Sequence, residues 1–194
     1  AGGGVGTAAI QLAQAVGGNI IGTASQWKHD RLIKMGVAHC IDYNLEDVYK
    51  KIMDYTGNRG VDLIIDPVGG KSWKISYKCL SKMGKLIIYG DQSFVKGKSF
   101  SFITTMKEVF SMPKYRPMDL MSQNKSIMGY HLGRLAGAED KIQTAVIALS
   151  QLVQEDKLSP VIDKIFSYTE ADKAHEYIQN RKNFGKVLLD FRDK

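Results

Sequence analysis

The run Ala1-Gly-Gly-Gly-Val-Gly6 stands immediately before a helical pattern, and this junction decides the fold. Apolar residues recur at helical spacing from Val5 to Val16, and Gly17-Gly18 supply the residue that ends a helix. Bare N–H groups at a helix start bind phosphate, so the junction predicts a nucleotide-binding turn. A glycine cluster also serves simple tight turns, and the run alone leaves both interpretations open.

Helical and strand patterns alternate outward from this junction. Strands are predicted at 19–24, 37–43, 61–65, 85–89, 126–130, 161–166 and 186–191. Helices are predicted at 5–16, 27–35, 45–53, 71–80, 142–153 and 170–181. Continuous apolar strands between amphipathic helices imply an α/β fold with a parallel sheet that is covered on both faces.

One stretch breaks the alternation. Between Asp91 and Gln123 the sequence is rich in Phe and Met and contains Pro113 and Pro117. Large apolar residues without a clear period suggest that Phe94–Met121 forms a wall of the substrate cleft or a partner surface. The alternative is a long excursion that packs on its own domain.

The composition limits the classes of protein to which this chain can belong. The 194 residues are 44% hydrophobic and 24% charged, which fits a globular chain with a core, and no stretch approaches the ~20 apolar residues that span a bilayer. The net charge of +7 favours anionic ligands, but the basic residues are scattered, so a nucleic-acid partner is not predicted. The two cysteines and four histidines lack metal-ligand spacing, which predicts no metal site and a reducing, cytoplasmic setting.

The glycine run also fits the dinucleotide fingerprint G-x-G-x-x-G, with Ala1, Gly3 and Gly6 at the three glycine positions. In that fingerprint an acidic residue about 20 positions further on binds the adenosine ribose of NAD. Ser25 stands there, and Lys28 and Arg31 follow it, so the sequence favours the 2′-phosphate of NADPH. Alternatively, Ser25 caps the next helix and Lys28 is solvated.

Five segments, in order, resemble the zinc-independent quinone-oxidoreductase branch of the medium-chain dehydrogenase/reductases. They are Ala1–Ala8, Ile21–Ser25 with Lys28, Gly36–Tyr43, Asp66–Gly70 and Asn183–Val187. Within the branch, residues 117–132 are similar to the synaptic-vesicle VAT-1 homologue group. The matches span nearly the whole chain.

The resemblance implies a fold and a set of cofactor contacts. Residues 1–159 would be a Rossmann-type doubly wound parallel sheet without its first strand, and residues 160–194 the C-terminal segment of a GroES-like catalytic domain. Without that strand, the isolated chain is expected to be unstable. The implied cofactor-binding residues are Gly3, Gly4, Val5, Gly6, Ser25, Lys28, Tyr43, Val68, Gly90 and Asn183. No catalytic residue is assigned.

The implied activity is hydride transfer from NADPH to a small-molecule quinone or other conjugated carbonyl (an enone), without zinc. The resemblance also implies a cytoplasmic protein that is a homodimer at full length. Peripheral membrane association is a further expectation. One alternative is a cofactor-binding structural or vesicle-associated protein with little turnover. Another is a methyltransferase, because Gly2-x-Gly4-x-Gly6 also suits a nucleoside loop, but that class predicts an acid where Ser25 stands.

Overall fold

The computed structural model describes residues 1–91 and 112–192, and the chain divides into two compact units. The first unit comprises Ala1–Glu46 and Glu139–Lys194, and the second comprises Asp47–Ala138. Each pair of neighbouring strands in the described sheets is parallel. The α/β class predicted from the alternation is confirmed, whereas the domain boundary at 159/160 stays a prediction.

The first unit brings both ends of the chain into one core. Its elements are α1 (Gly4–Ala15), β1 (Ile21–Thr23), α2 (His29–Lys34), β2 (His39–Ile41), α6 (Glu139–Gln154), β6 (Ile162–Ser167), α7 (Ala171–Gln179) and β7 (Lys186–Asp190). β1 pairs with β2, and β6 pairs with β7. Ile10, Leu32 and Phe184 are buried together, so the segment near the C-terminus packs against the first helices.

The second unit is a three-stranded sheet with its helices. Its elements are α3 (Val48–Tyr55), β3 (Val61–Asp66), α4 (Lys71–Cys79), β4 (Leu80–Ile88), α5 (Pro117–Gln123) and β5 (Ser126–Gly129). The strand order is β3-β4-β5, and Leu86 of the middle strand is fully buried. Asp66 lies opposite Ile88, so β3 and β4 end at the same edge.

Most predicted bounds differ from the observed ones by up to three residues, α5 was not predicted, and two elements differ further. The helix expected at 27–35 begins with a 3-10 turn, Gln26–Lys28, before α2. The strand expected at 85–89 starts at Leu80 and contains an irregularity, where Met83 takes a left-handed conformation (φ 65°) and the β3–β4 register shifts. No helix in the described ranges is long and apolar enough to cross a membrane.

The Phe/Met-rich stretch lies largely outside the described residues, which omit 92–111. Its described end contains α5, where the side chains of Met118 and Met121 are largely exposed. Whether the stretch lines a substrate cleft stays a prediction.

Candidate cofactor site

The glycine run forms an uncapped helix start. Gly3 is the N-cap of α1, and no side chain bonds the first turn, which also contains no acidic residue. The first bond of the helix runs from the Thr7 N–H to the Gly3 carbonyl (2.9 Å). The N–H groups of Gly4, Val5 and Gly6 therefore have no acceptor within the helix and are available to an anion.

The glycines of this run have different structural roles. A Cβ atom added at Gly3 meets nothing within 4 Å, so the space beside it is open to a ligand. At Gly4 a Cβ would approach only the flexible Lys186 side chain (3.0 Å). At Gly6 it would overlap the carbonyl of Ala1, so this glycine serves the packing of the loop against the helix.

Ser25 and Tyr43 form the centre of a polar cluster beyond β1 and β2. Ser25 Oγ lies 3.2 Å from the Tyr43 hydroxyl, so the structure joins two predicted site residues. Ser25 is the N-cap residue of the turn Gln26–Lys28, but its side chain makes no cap bond there. Two hydroxyl groups at this position can donate to phosphate oxygens.

Lys28 is buried beside Asn183. Its side chain is 8% exposed, and its Nζ donates to the Asn183 carbonyl (2.5 Å). The alternative of a solvated Lys28 is therefore wrong. Burial lowers the pKa of Lys28, and nearby Arg181 and Arg31 lower it further, whereas Asp163 opposes the shift. An anion bound here would relieve the crowding of positive charge.

Arg181 joins this cluster from the far end of the chain. Its Nη1 donates to the Tyr43 hydroxyl (3.1 Å), and its guanidinium lies 5.9 Å from the centre of the Tyr43 ring. Sequence analysis missed this residue because 138 positions separate it from Tyr43. It brings a second cation to the two hydroxyls.

The backbone of Arg181 is itself unusual. It follows the end of α7 with a φ of 56°, and N–H bonds from Arg181 and Lys182 to Ile178 and Tyr177 complete a Schellman turn. Glycine usually occupies this position, because a side chain is disfavoured there. Asn58 and Asp156 also take positive φ values after helices, so the conformation of Arg181 alone does not indicate a function.

Arg31, which the sequence offered as a further phosphate ligand, is already paired. Its guanidinium bonds Asp163 (3.3 Å) and lies 3.9 Å from the centre of the Phe184 ring. The Tyr177 hydroxyl donates to the same carboxylate (2.9 Å). Asp163 therefore offsets the charge of Arg31, and Lys28 and Arg181 are the cations that remain for a phosphate.

Asp42 is the acid nearest in sequence to the cluster, and its oxygens are occupied. The buried carboxylate accepts bonds from the Gln26 N–H (3.0 Å), the Asn44 N–H (2.9 Å) and the Asn44 side chain (3.0 Å). The Asn44 and Gln26 N–H groups hold the pKa of Asp42 below its usual value. Asp42 thus holds the turn after Ser25 and does not replace the missing ribose acid.

In the second unit, Asp66 organises the loop after β3. Its carboxylate is 4% exposed and accepts bonds from the Val68 N–H (2.7 Å) and from the Ser72 and Ser76 hydroxyls (2.8 and 2.7 Å). Gly69 and Gly70 have φ values of 94° and 51°, which favour glycine. The half-exposed Val68 side chain lies at the tip of this loop.

Gly90 lies beside that loop. A Cβ atom at Gly90 would be 3.5 Å from the Pro67 carbonyl oxygen, an ordinary contact distance. The structure therefore brings Val68 and Gly90 together where β3 and β4 end. Ligands bind at such carboxyl ends of parallel strands. The other eight predicted residues belong to the first unit.

The described residues do not fit a zinc ion. Within 1–91 and 112–192, no group of three or more His, Cys, Asp or Glu side chains is arranged to hold a metal. Burial raises the pKa of Cys79 to about 11 and also raises the pKa of Cys40, which disfavours the thiolates that bind zinc.

Comparison with known proteins identifies the family to which this chain belongs. Residues 4–151 match the family model described as zinc-binding dehydrogenase. The human synaptic vesicle membrane protein VAT-1 homolog is 33% identical over 190 residues, which are 97% of this chain and 48% of that protein. A quinone oxidoreductase of Pseudomonas aeruginosa is 28% identical over 97% of this chain and 54% of its own length.

A solved structure agrees with these relatives. The crystal structure of human VAT-1 homolog-like protein superposes with a TM-score of 0.77 at 27% identity, over 100% of this chain and 52% of that one. The chain spans about half the length of the curated relatives it matches. It belongs to the zinc-binding dehydrogenase family, in the quinone-oxidoreductase branch of the medium-chain dehydrogenase/reductases that includes the VAT-1 homologues.

Proposed function

We propose that this chain is the cofactor-binding part of an NADPH-dependent oxidoreductase that reduces a quinone or enone without zinc. One observation carries the proposal: at the position where an NAD-binding protein has an acid, Ser25 bonds Tyr43 and Tyr43 bonds Arg181, and Lys28 lies close enough to Arg181 for their charges to interact. Two cations and two hydroxyls match the charge and the oxygens of a 2′-phosphate.

The same cluster sets the expected cofactor preference. The Asp42 carboxylate accepts bonds from the Gln26 N–H and from the backbone and side-chain N–H groups of Asn44, so it is not available to bind the ribose hydroxyls of NADH. A hydrogen bond to a charged group is worth about 1.5–3 kcal/mol, which gives NADPH an advantage over NADH of roughly tenfold or more.

Bound NADPH supplies the hydride, and the protein binds and orients it. The N–H groups at Gly4–Gly6 would hold the pyrophosphate, and Lys28, Arg181 and the hydroxyls of Ser25 and Tyr43 the 2′-phosphate. Val68 and Gly90, which belong to the second unit, stay predicted cofactor contacts. No residue is assigned a role in proton transfer.

The acceptor class rests on relatives. The name of the P. aeruginosa relative supports a quinone, and the family resemblance supports conjugated carbonyls more widely. The test is turnover by the full-length protein with a panel of quinones and enones, with NADPH and NADH compared at equal concentration. We expect NADPH-dependent reduction of at least one acceptor that survives chelation of zinc. Turnover with NADH alone, or loss of activity with a chelator, would overturn the proposal.

A second candidate is a cofactor-binding protein that associates with vesicles and turns over little. The names of the VAT-1 relatives favour it, and so does the charge distribution. Residues 47–138 hold 15 Lys and Arg against 7 Asp and Glu, whereas the rest of the chain holds 12 against 13. Basic residues near an anionic membrane contribute about 1 kcal/mol each. Sedimentation with phosphatidylserine vesicles, but not phosphatidylcholine vesicles, would support this candidate.

We further propose a cytoplasmic homodimer at full length. Cys40 and Cys79 are free thiols, which suits a reducing compartment. In the described sheet of the second unit, β5 is an edge strand and offers unpaired backbone groups to a second copy. Light scattering of the full-length protein measures the oligomeric state, and a monomer at micromolar concentration would contradict the dimer.

A further inference from the structure

The indole of Trp27 is exposed at the edge of the Ser25–Tyr43 cluster. Trp27 sits in the 3-10 turn Gln26–Lys28, directly between Ser25 and Lys28 in sequence. Its side chain is 52% exposed, although tryptophan is buried on average in folded proteins. Single exposed apolar residues are common, so exposure alone decides nothing.

A second observation connects the indole to the phosphate site. Lys28 Nζ lies 4.9 Å from the centre of the Trp27 ring, within the range of a cation–π contact. The same ammonium gives one N–H to Asn183, which leaves two of its three donors for a ligand. Any phosphate that binds Lys28 therefore lies close to the indole.

We propose that the Trp27 indole is the stacking surface for the adenine ring of the cofactor. This inference rests on the proposed function. In 2′-phosphoadenosine a single ribose joins the phosphate to the base, so a phosphate held by Lys28 keeps the adenine within reach of the neighbouring ring. Aromatic side chains bind bases through their faces. The Tyr43 ring is less available for stacking, because the Arg181 guanidinium lies 5.9 Å from its centre and the Tyr43 hydroxyl bonds Ser25 and Arg181.

Stacking predicts a distinctive pattern of affinities. Both NADPH and NADH contain adenine, so Trp27→Ala should weaken both by a similar factor, roughly fivefold or more, and leave the preference for NADPH unchanged. If Trp27 acted only through Lys28, the substitution would weaken NADPH alone. Trp27→Phe keeps a ring and should weaken both cofactors less than Trp27→Ala does.

The experiment combines calorimetry with tryptophan fluorescence on the purified protein, using NADPH, NADH and 2′,5′-ADP. The chain contains only two tryptophans, and Trp73 belongs to the other unit. We expect 2′,5′-ADP to quench emission in Trp73→Phe, where Trp27 alone emits, and not in Trp27→Phe. Because 2′,5′-ADP does not absorb tryptophan emission, quenching reports contact and not energy transfer.

The outcomes separate the two proposals. Unchanged affinity in Trp27→Ala, weakening of NADPH alone, or no quenching in Trp73→Phe would overturn the stacking role while the proposed function stands. Failure of the wild-type protein to bind either dinucleotide would overturn the proposed function itself. Unchanged circular dichroism and melting of Trp27→Phe show that the fold is intact.

Discussion

The two groups of candidate cofactor residues are built in opposite ways. Val68 and Gly90 follow neighbouring strands, and a single carboxylate, Asp66, fixes the loop of Val68 through bonds to residues at most ten positions away. The phosphate cluster joins Ser25 and Tyr43 to Arg181, across up to 138 positions. The first group is therefore determined locally, and the second depends on the tertiary fold.

The difference also appears in charge. The buried Asp66 is satisfied by three hydrogen bonds, so its loop needs no ligand. In the cluster, burial and the nearby charge of Arg181 lower the pKa of Lys28. A site that gathers cations in this way is completed by an anion.

The largest effect is expected from Gly3→Val. The open space at Gly3 accepts the side chain without a clash, so the fold should persist while the pyrophosphate loses its approach to the backbone, and cofactor binding should be abolished. Calorimetry and thermal melting measure the two properties. The matched control is Gly6→Val, which should unfold the protein because its Cβ overlaps Ala1. Unchanged affinity in Gly3→Val would show that the run is only a turn.

Asp66→Ala should cost about 3 kcal/mol in the free energy of unfolding, because hydrogen bonds to charged groups are worth about 1.5–3 kcal/mol each and are partly replaced by water. Urea unfolding measures the loss. Asp66→Asn, which keeps the shape, should cost less. Affinity for 2′,5′-ADP should be unchanged in folded protein, since the phosphate cluster belongs to the other unit. A large loss of that affinity would contradict the claim that the two groups of residues are independent.

Arg181→Gly distinguishes the contribution of Arg181 to stability from its contribution to NADPH binding. Glycine suits the left-handed conformation of this position, so stability should not fall, while NADPH affinity should fall about tenfold and NADH affinity should stay the same. Calorimetry with both cofactors, alongside thermal melting, tests this. Arg181→Lys should retain part of the NADPH affinity. A less stable Arg181→Gly protein with normal affinity would mean that the residue is structural.

The smallest effect is a pH dependence from Lys28. Its pKa lies below 10.5 in the folded protein, so the ammonium loses its proton earlier than an ordinary lysine does. The ratio of NADPH to NADH affinity should therefore fall as the pH rises through the lowered pKa of Lys28 in the folded protein. Stability should rise over the same window, because the unfolded chain then binds more protons than the folded one. Lys28→Met should remove the pH dependence of the ratio, and a ratio that still varied in this variant would contradict the assignment.

The contrast between the groups explains how far sequence reasoning reached. Helix and strand periods, glycine turns and the motif Asp66–Gly70 are local, so the α/β class and the position of Val68 followed from pattern and resemblance. The contacts of Lys28 with Asn183, and of Arg181 with Tyr43, depend on how the segment near the C-terminus packs through Phe184. No local pattern encodes that packing. The pairing of Arg31 with Asp163 was hidden for the same reason.

The central claim is that the cluster of the first unit binds a 2′-phosphate. Calorimetry of NADPH and NADH with the wild-type protein and with the Lys28→Met, Arg181→Gly double variant tests it most directly. We predict that the wild type binds NADPH about tenfold or more tightly than NADH, and that the double variant binds both with nearly equal affinity. Equal affinities in the wild type, or a preference that survives in the double variant, would contradict the account.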